Sequence, residues 1–399
     1  MTARLSGARG LVAALSLLCG AAAWAETGFE TRDIDTVRRA AEQGVAAAES
    51  ELGLRYQNGD GVLQNFLLAA DWYARAAQQG DADAQNRLGK FYFEGLGVER
   101  DHTVALRWLE AAAEGGDPRY LYDLARALEN GEMPDLARAA EIYGRAAELG
   151  DADAAVSLGA LYQEGRGVEK DLARARELYE GPAAAGHARA QNNLGLLYAR
   201  GDGVEQDYER AADLFEAAAE RGLSQAKANL GVMYENALGV PLDEELAASL
   251  YREGGRGVEE GQQQGPVYDA RLTAPDTSAE GLRRLRQGVA SGDPVAEFQF
   301  AWIWLSAESP TAEELSQAVA ALKRAASKGL APAMANLGIL YFQGRGVPED
   351  YALGHMWLAL AGTSGMAAAN DINARLSAKM PASQINEAQE MALERSARR

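Results

Sequence analysis

Few side chains in this sequence could do chemistry, and they do not gather. The three histidines, His102, His187 and His355, are far apart, and no H-E-x-x-H or Cys/His cluster offers the close ligand spacing of a zinc site. Ser224, Gln225, Ala226 and Lys227 spell S-x-x-K, the serine-nucleophile box of penicillin-recognising enzymes, but no K-T-G follows. Gly-x-Gly strings recur and could cradle a phosphate where a strand leads into a helix; here no strand pattern precedes them. An acid–base pair for work on a cell-wall polymer would have to come from scattered acids such as Glu259, Glu260 and Asp269. The sequence therefore implies no catalytic residue, no metal ligand and no cofactor.

What does recur is a framework. Leu-Gly stands at Leu52, Leu88, Leu158, Leu194, Leu230 and Leu337, with Leu124-Ala125 and Phe300-Ala301 as weaker copies. From Leu52 to Leu230, counting Leu124, the steps are 36, 36, 34, 36 and 36 residues. A period in this range marks stacked supersecondary units. Each copy extends to Leu-Gly-x-x-Tyr, with an alanine four residues before the leucine (Ala84, Ala154, Ala190, Ala226), so the apolar positions share one face of a helix A. Glycine inside a helix costs about 1 kcal/mol relative to alanine. Six such glycines cost about as much as the net stability of a domain. The expected offset is a neighbouring helix too close to admit a Cβ.

A Gly-x-Gly-Val turn follows helix A at Gly59, Gly95, Gly165, Gly201 and Gly344. The first glycine suits a left-handed C′ position. Three residues past the valine position stand Asn65, Asp101, Asp171, Asp207, Asp243 and Asp350, expected N-caps of a helix B. Helix B carries Trp72, Trp108, Ile142, Leu178, Leu214, Leu250 or Trp357, and most copies stop at a glycine eight residues later. Asp81, Asp151, Asp117-Pro118 and Asp293-Pro294 then open the next helix A.

This pattern, complete over residues 84–116, resembles the Sel1-like repeat family, a relative of the tetratricopeptide repeats. The resemblance spans roughly residues 30–365. It implies an all-α superhelical solenoid of about seven helix pairs, counting the copies near Leu124 and Phe300. It also implies an adaptor that holds other proteins, and some periplasmic relatives restrain sensor kinases. The family shares no catalytic residues. A secreted bacterial branch carries a disulfide in each repeat, and its proposed β-lactam binding does not transfer to a chain with one cysteine.

Residues 1–25 read as a secretory signal peptide: Arg4 and Arg9, an apolar stretch from Leu11 to Ala22, and Ala23-Trp24-Ala25 before Glu26. Cys19 could mark a lipoprotein, but Leu18 before it is not small, so lipid anchoring is not expected. No later segment approaches a transmembrane span. The location expected is periplasmic or secreted. Cleavage removes two arginines and no acid, taking the net charge from −19 to −21, which disfavours nucleic acid as a partner.

The expected organisation is thus a leader, 1–25; a repeat array with an N-terminal half-repeat, 26–253; an irregular insertion or decayed repeat, 254–278; further repeats, 279–365; and capping helices with a tail, 366–399. The partner expected is a protein or peptide on the concave face lined by the A helices. On the side of helix A away from the leucine and tyrosine, the candidate contacts are Asn86, Lys90, Phe93, Tyr122, Arg126, Asn192, Trp302 and Phe342. Trp302 could equally serve packing between A helices. A narrower role as regulator of a signalling receptor, and the alternative of a peptidoglycan-associated enzyme or binding protein, both remain open at this stage.

Overall fold

The structure is a computed structural model and describes residues 28–259, 265–307, 309–378 and 380–398. The expected leader and Cys19 lie outside the described residues. Among the described residues there are twenty helices and no strand. Helix α1 (Ile34–Glu42) is the expected N-terminal half-repeat. Six A/B pairs follow: α2 (Ala46–Asn58) with α3 (Phe66–Gln78), α4 (Ala82–Glu94) with α5 (His102–Ala113), α6 (Pro118–Asn130) with α7 (Leu136–Glu148), α8 (Ala152–Glu164) with α9 (Leu172–Ala184), α10 (Ala188–Arg200) with α11 (Tyr208–Glu220), and α12 (Ser224–Glu235) with α13 (Glu244–Glu259). After the lone α14 (Ala279–Ser291) come α15 (Pro294–Leu305) with α16 (Ala312–Ser327), then α17 (Ala331–Gln343) with α18 (Tyr351–Thr363). Two helices, α19 (Ala368–Ser377) and α20 (Ala382–Ala397), end the chain. Each A helix packs on its own B helix and on the B helix before it, so the array is a solenoid.

The local reasons match the sequence pattern. Asp81 accepts from the Ala84 N–H at 2.8 Å, and Asp101 from the Val104 N–H at 2.9 Å. Asn65, Asp171, Asp207, Asp243 and Asp350 cap their B helices in the same way. The Leu-Gly glycines are indeed sites of close approach. A Cβ on Gly53, Gly89, Gly159, Gly195 or Gly231 would lie 2.5–2.8 Å from Tyr73, Leu109, Tyr179, Phe215 or Tyr251. These partners sit one residue beyond the large apolar residue singled out from the sequence. Tyr73, Leu109, Tyr179 and Phe215 are fully buried, whereas Trp72 and Trp108 are only half-buried. The second glycine of each turn does more than tighten it. At Gly97, φ is +64° and a Cβ would lie 2.2 Å from the Phe66 carbonyl carbon, so this turn rests on the start of the preceding helix B.

Two features go beyond the sequence expectation. Helix α13 runs to Glu259, past the expected end at 253. Within it Gly254 packs closely on α12, since a Cβ there would lie 3.0 Å from the Ser224 carbonyl oxygen. Helix α20 also does more than cap the last repeat. It packs on α18 and reaches the first repeats. Gln389 Oε1 accepts the otherwise orphaned N–H of Phe66, the first residue of α3, at 2.7 Å. Asn386 accepts from the Gly97 N–H at 2.9 Å and donates to the Gly95 carbonyl at 3.1 Å. The superhelix therefore closes on itself, through contacts about 290 and 320 residues apart in sequence.

Candidate functional site

The residues predicted for the binding face fall into three groups. In repeats two and three, Asn86 and Lys90 converge on one carboxylate. Asn86 Nδ2 lies 2.9 Å and Lys90 Nζ 3.1 Å from Asp123 Oδ2. Beside them the Arg126 guanidinium lies 5.8 Å from the Tyr122 ring, and Arg126 is exposed. These side chains sit on α4 and α6: Asn86 is buried, Tyr122 packs against the core with its ring 5.8 Å from that of Tyr143, and Arg126 reaches solvent. Asn86, Lys90 and Asp123 also border an open cleft of about 250 Å³, with Asp83, Arg87, Glu94, Arg119 and Tyr120. The Tyr120 hydroxyl donates to Asp83 at 2.6 Å, and burial together with that carboxylate raises its pKa. The cleft therefore carries both signs of charge, already cross-paired between successive A helices.

The second group is turned inward. Phe93 stacks flat on His102 of the same repeat, with ring centroids 4.5 Å apart. Phe342 is buried, stacks on Tyr351 and occupies the space over Gly354. Asn192 is buried and accepts from Asn229 of the next repeat at 2.8 Å. All three are committed to holding the array together. The pattern of one helix alone does not reveal this, because their partners come from helix B of the same repeat or from the next repeat.

The third group is Trp302, and its neighbour was unexpected. The irregular stretch does not stand away from the array: residues 265–273 lie along α15 and α17. The Tyr268 ring sits 4.9 Å from Trp302 and 5.5 Å from Phe298, centroid to centroid. Asn336 grips the main chain of Val267 at both ends, accepting its N–H at 2.9 Å and donating to its carbonyl at 2.7 Å. Gln299 Nε2 donates to the Thr273 carbonyl at 2.7 Å, and Arg271 to the Gly365 carbonyl at 2.9 Å. Asn336 and Gln299 each precede the Leu-Gly-equivalent pair by one residue. Sequence reading passed over that position, although asparagine recurs there at Asn193, Asn229 and Asn336.

The residues considered for chemistry are dispersed. His187 caps α10, while His102 stacks on Phe93 and accepts from the Glu132 N–H. Asp269 is paired with Arg271 at 2.7 Å, and Glu260 lies outside the described residues. Ser224 is the first residue of α12 and Ala226 is core, as the repeat dictates. No helix of the described residues is long and apolar enough to cross a membrane.

Successive helix pairs stacked in this way define a helical-repeat protein, an α-solenoid. The chain belongs to the Sel1 repeat family, matching it over residues 46–81, 82–117, 118–151, 152–187, 188–223, 224–256 and 331–366. The pair α15–α16 is a further helix pair outside those matches. In solved structures the chain is similar to a protective antigen of uropathogenic Escherichia coli with this repeat fold. The two are 29% identical, with 97% of this chain and 94% of that one covered and a TM-score of 0.53. It is also similar to a Sel1 repeat protein from Oxalobacter formigenes, at 28% identity, with 64% of this chain and 98% of that one covered and a TM-score of 0.51. No protein with a curated description matches it. Sel1 repeat proteins generally mediate protein–protein interaction, which makes proteins the class of partner here.

Proposed function

We propose that this chain is a non-enzymatic adaptor of the bacterial periplasm that binds a protein or peptide on its A-helix face, with a signalling receptor as the client class. One observation supports the binding reading above others. Around the cleft of repeats two and three, the partly exposed Lys90 and the exposed Arg126 project from two successive A helices, with Arg126 lying over the edge of the core ring Tyr122, and aromatic and arginine side chains are the usual anchors of an interface. Export rests on the basic, apolar and small-x-small order of residues 1–25.

Two measurements test this. Mass spectrometry of protein recovered from the envelope of an expressing bacterium should find the mature chain starting at Glu26. A chain still starting at Met1 removes the periplasmic location. In-cell crosslinking captures the partner, and titration calorimetry then compares the unaltered chain with a Lys90→Ala, Arg126→Ala variant. Loss of two anchor charges should weaken binding at least tenfold, or about 1.4 kcal/mol. Equal affinities would move the interface away from repeats two and three.

A further inference from the structure

Residues 265–273 are held by the last repeats as a bound peptide is held. None of these residues is in a helix or strand, and the main-chain N–H and C=O of one of them, Val267, meet a single carboxamide. That carboxamide is pre-positioned: Asn336 is buried, and its Nδ2 also donates to the Pro332 carbonyl of its own helix at 2.7 Å. The next side chain, Tyr268, enters an aromatic corner made by Phe298 and Trp302. Main-chain pairing gives affinity without demanding a sequence, and an aromatic pocket beside it adds selection. Nothing in this arrangement requires the bound segment to belong to the same chain.

We propose that the face of α15 and α17 is a peptide-binding site. Its ligand is an extended segment bearing an aromatic side chain directly after the residue gripped by Asn336, and residues 266–273 fill the site in cis until such a segment displaces them. This deepens the adaptor reading, on which it rests, by naming the chemistry of the client. A tethered occupant acts at an effective concentration on the order of millimolar, so a short free peptide competes poorly with it. A client must therefore bind elsewhere on the array as well, and the charged cleft of repeats two and three offers such a place.

The test uses the full chain with residues 266–273 replaced by an equal length of Gly and Ser, and a fluorescent peptide of sequence GPVYDARLT, identical to residues 265–273. Fluorescence anisotropy should show the opened chain binding the peptide at least tenfold more tightly than the unaltered chain. Alanine in place of the peptide tyrosine, which leaves the protein untouched, should weaken binding at least tenfold, and Trp302→Ala in the opened chain should do the same. If the opened chain lacks a cooperative melt, the single variant Tyr268→Ala takes its place, because it loosens the occupant and leaves the linker intact. Equal binding by opened and unaltered chains, or by the tyrosine and alanine peptides, overturns the proposal. A chain that captures its partner through Lys90 and Arg126 yet ignores this peptide overturns this inference alone and leaves the adaptor reading in place.

Discussion

Gly159→Ala is expected to lower stability by about 2 kcal/mol, although alanine is the better helix former. The new Cβ would stand 2.5 Å from Cε1 of Tyr179, a distance real contacts do not show. Tyr179 cannot yield easily. It is fully buried, and its hydroxyl donates to Gln163 at 3.0 Å. Overpacking of a closed core costs about 1–3 kcal/mol and occasionally more, which outweighs the gain of about 1 kcal/mol in helix propensity. The same substitution at Gly144, inside α7, should have the opposite sign. There a Cβ meets only Leu158 Cδ2 at 3.8 Å, an ordinary contact, so Gly144→Ala should gain up to about 1 kcal/mol. Urea denaturation read by circular dichroism compares the two. Because a solenoid unfolds in neighbouring units, hydrogen exchange in α8 and α9 locates the loss. Adding Tyr179→Ala to Gly159→Ala should cost at least 1 kcal/mol less than the two single losses together, since the ring that clashes is then gone. Equal signs at 159 and 144 would mean that Leu-Gly marks something other than helix approach.

The contrast between those glycines shows how far the sequence reaches. A period, a cap and a stop are local, and each is written in consecutive residues. Helices α4 to α12 accordingly lie where Asp81, Gly95, Asp101 and their repeats put them. The role of the Leu-Gly glycine was legible too, because an otherwise costly residue recurs at one position. Its partner was read one residue short. Trp72 and Trp108 draw the eye, whereas Tyr73 and Leu109 face the glycine, and a turn of 100° per residue separates buried from half-buried. Long-range events left no local mark. Gln389 and Asn386 look like surface polar residues of an exposed terminal helix until superhelical curvature brings Phe66 and Gly97 to them. The insertion is the same case: Val267 and Tyr268 read as loop, and only Asn336, Phe298 and Trp302 reveal what that loop lies on. Phe93 and Phe342 show the converse, since aromatic rings on the side of helix A away from its leucine and tyrosine meet the first residue of the following helix B, His102 or Tyr351.

Acidification from pH 6.5 to 4 should remove up to roughly 3 kcal/mol of stability through His355 alone. Burial holds the pKa of this imidazole down at about 4, against 6.5 when exposed. His355 is only 3% accessible, its Nδ1 lies 2.8 Å from Ser377 Oγ, and Nε2 has no partner. The Ser377 hydroxyl in turn donates to Asn373 Oδ1 at 3.2 Å. The unfolded chain takes up its proton near pH 6.5 and the folded chain only near 4. Between those values the unfolded state binds more protons, and stability is lost as pH falls; above 6.5 the full contribution is present. The loss falls at a mechanically sensitive place. His355 and Ser377 border a cavity of about 530 Å³ lined also by Gln57, Phe66 and Leu96 from the first repeats and by Ile385 of α20, which is the seam where the superhelix closes. A charge there favours opening that seam to water. Carboxylates at helix starts behave differently. Hydrogen bonds from Thr36, Arg119 and Thr311 hold Asp33, Asp117 and Glu314 below the usual carboxylate range. Their contribution is lost only as pH falls through and below that range, and it is common to any variant. The comparison is therefore between the unaltered chain and His355→Gln, which keeps a neutral polar side chain. Their urea midpoints should diverge in slope between pH 6.5 and 4, with the histidine chain falling faster. Parallel slopes would show that the proton reaches His355 without disturbing the folded seam.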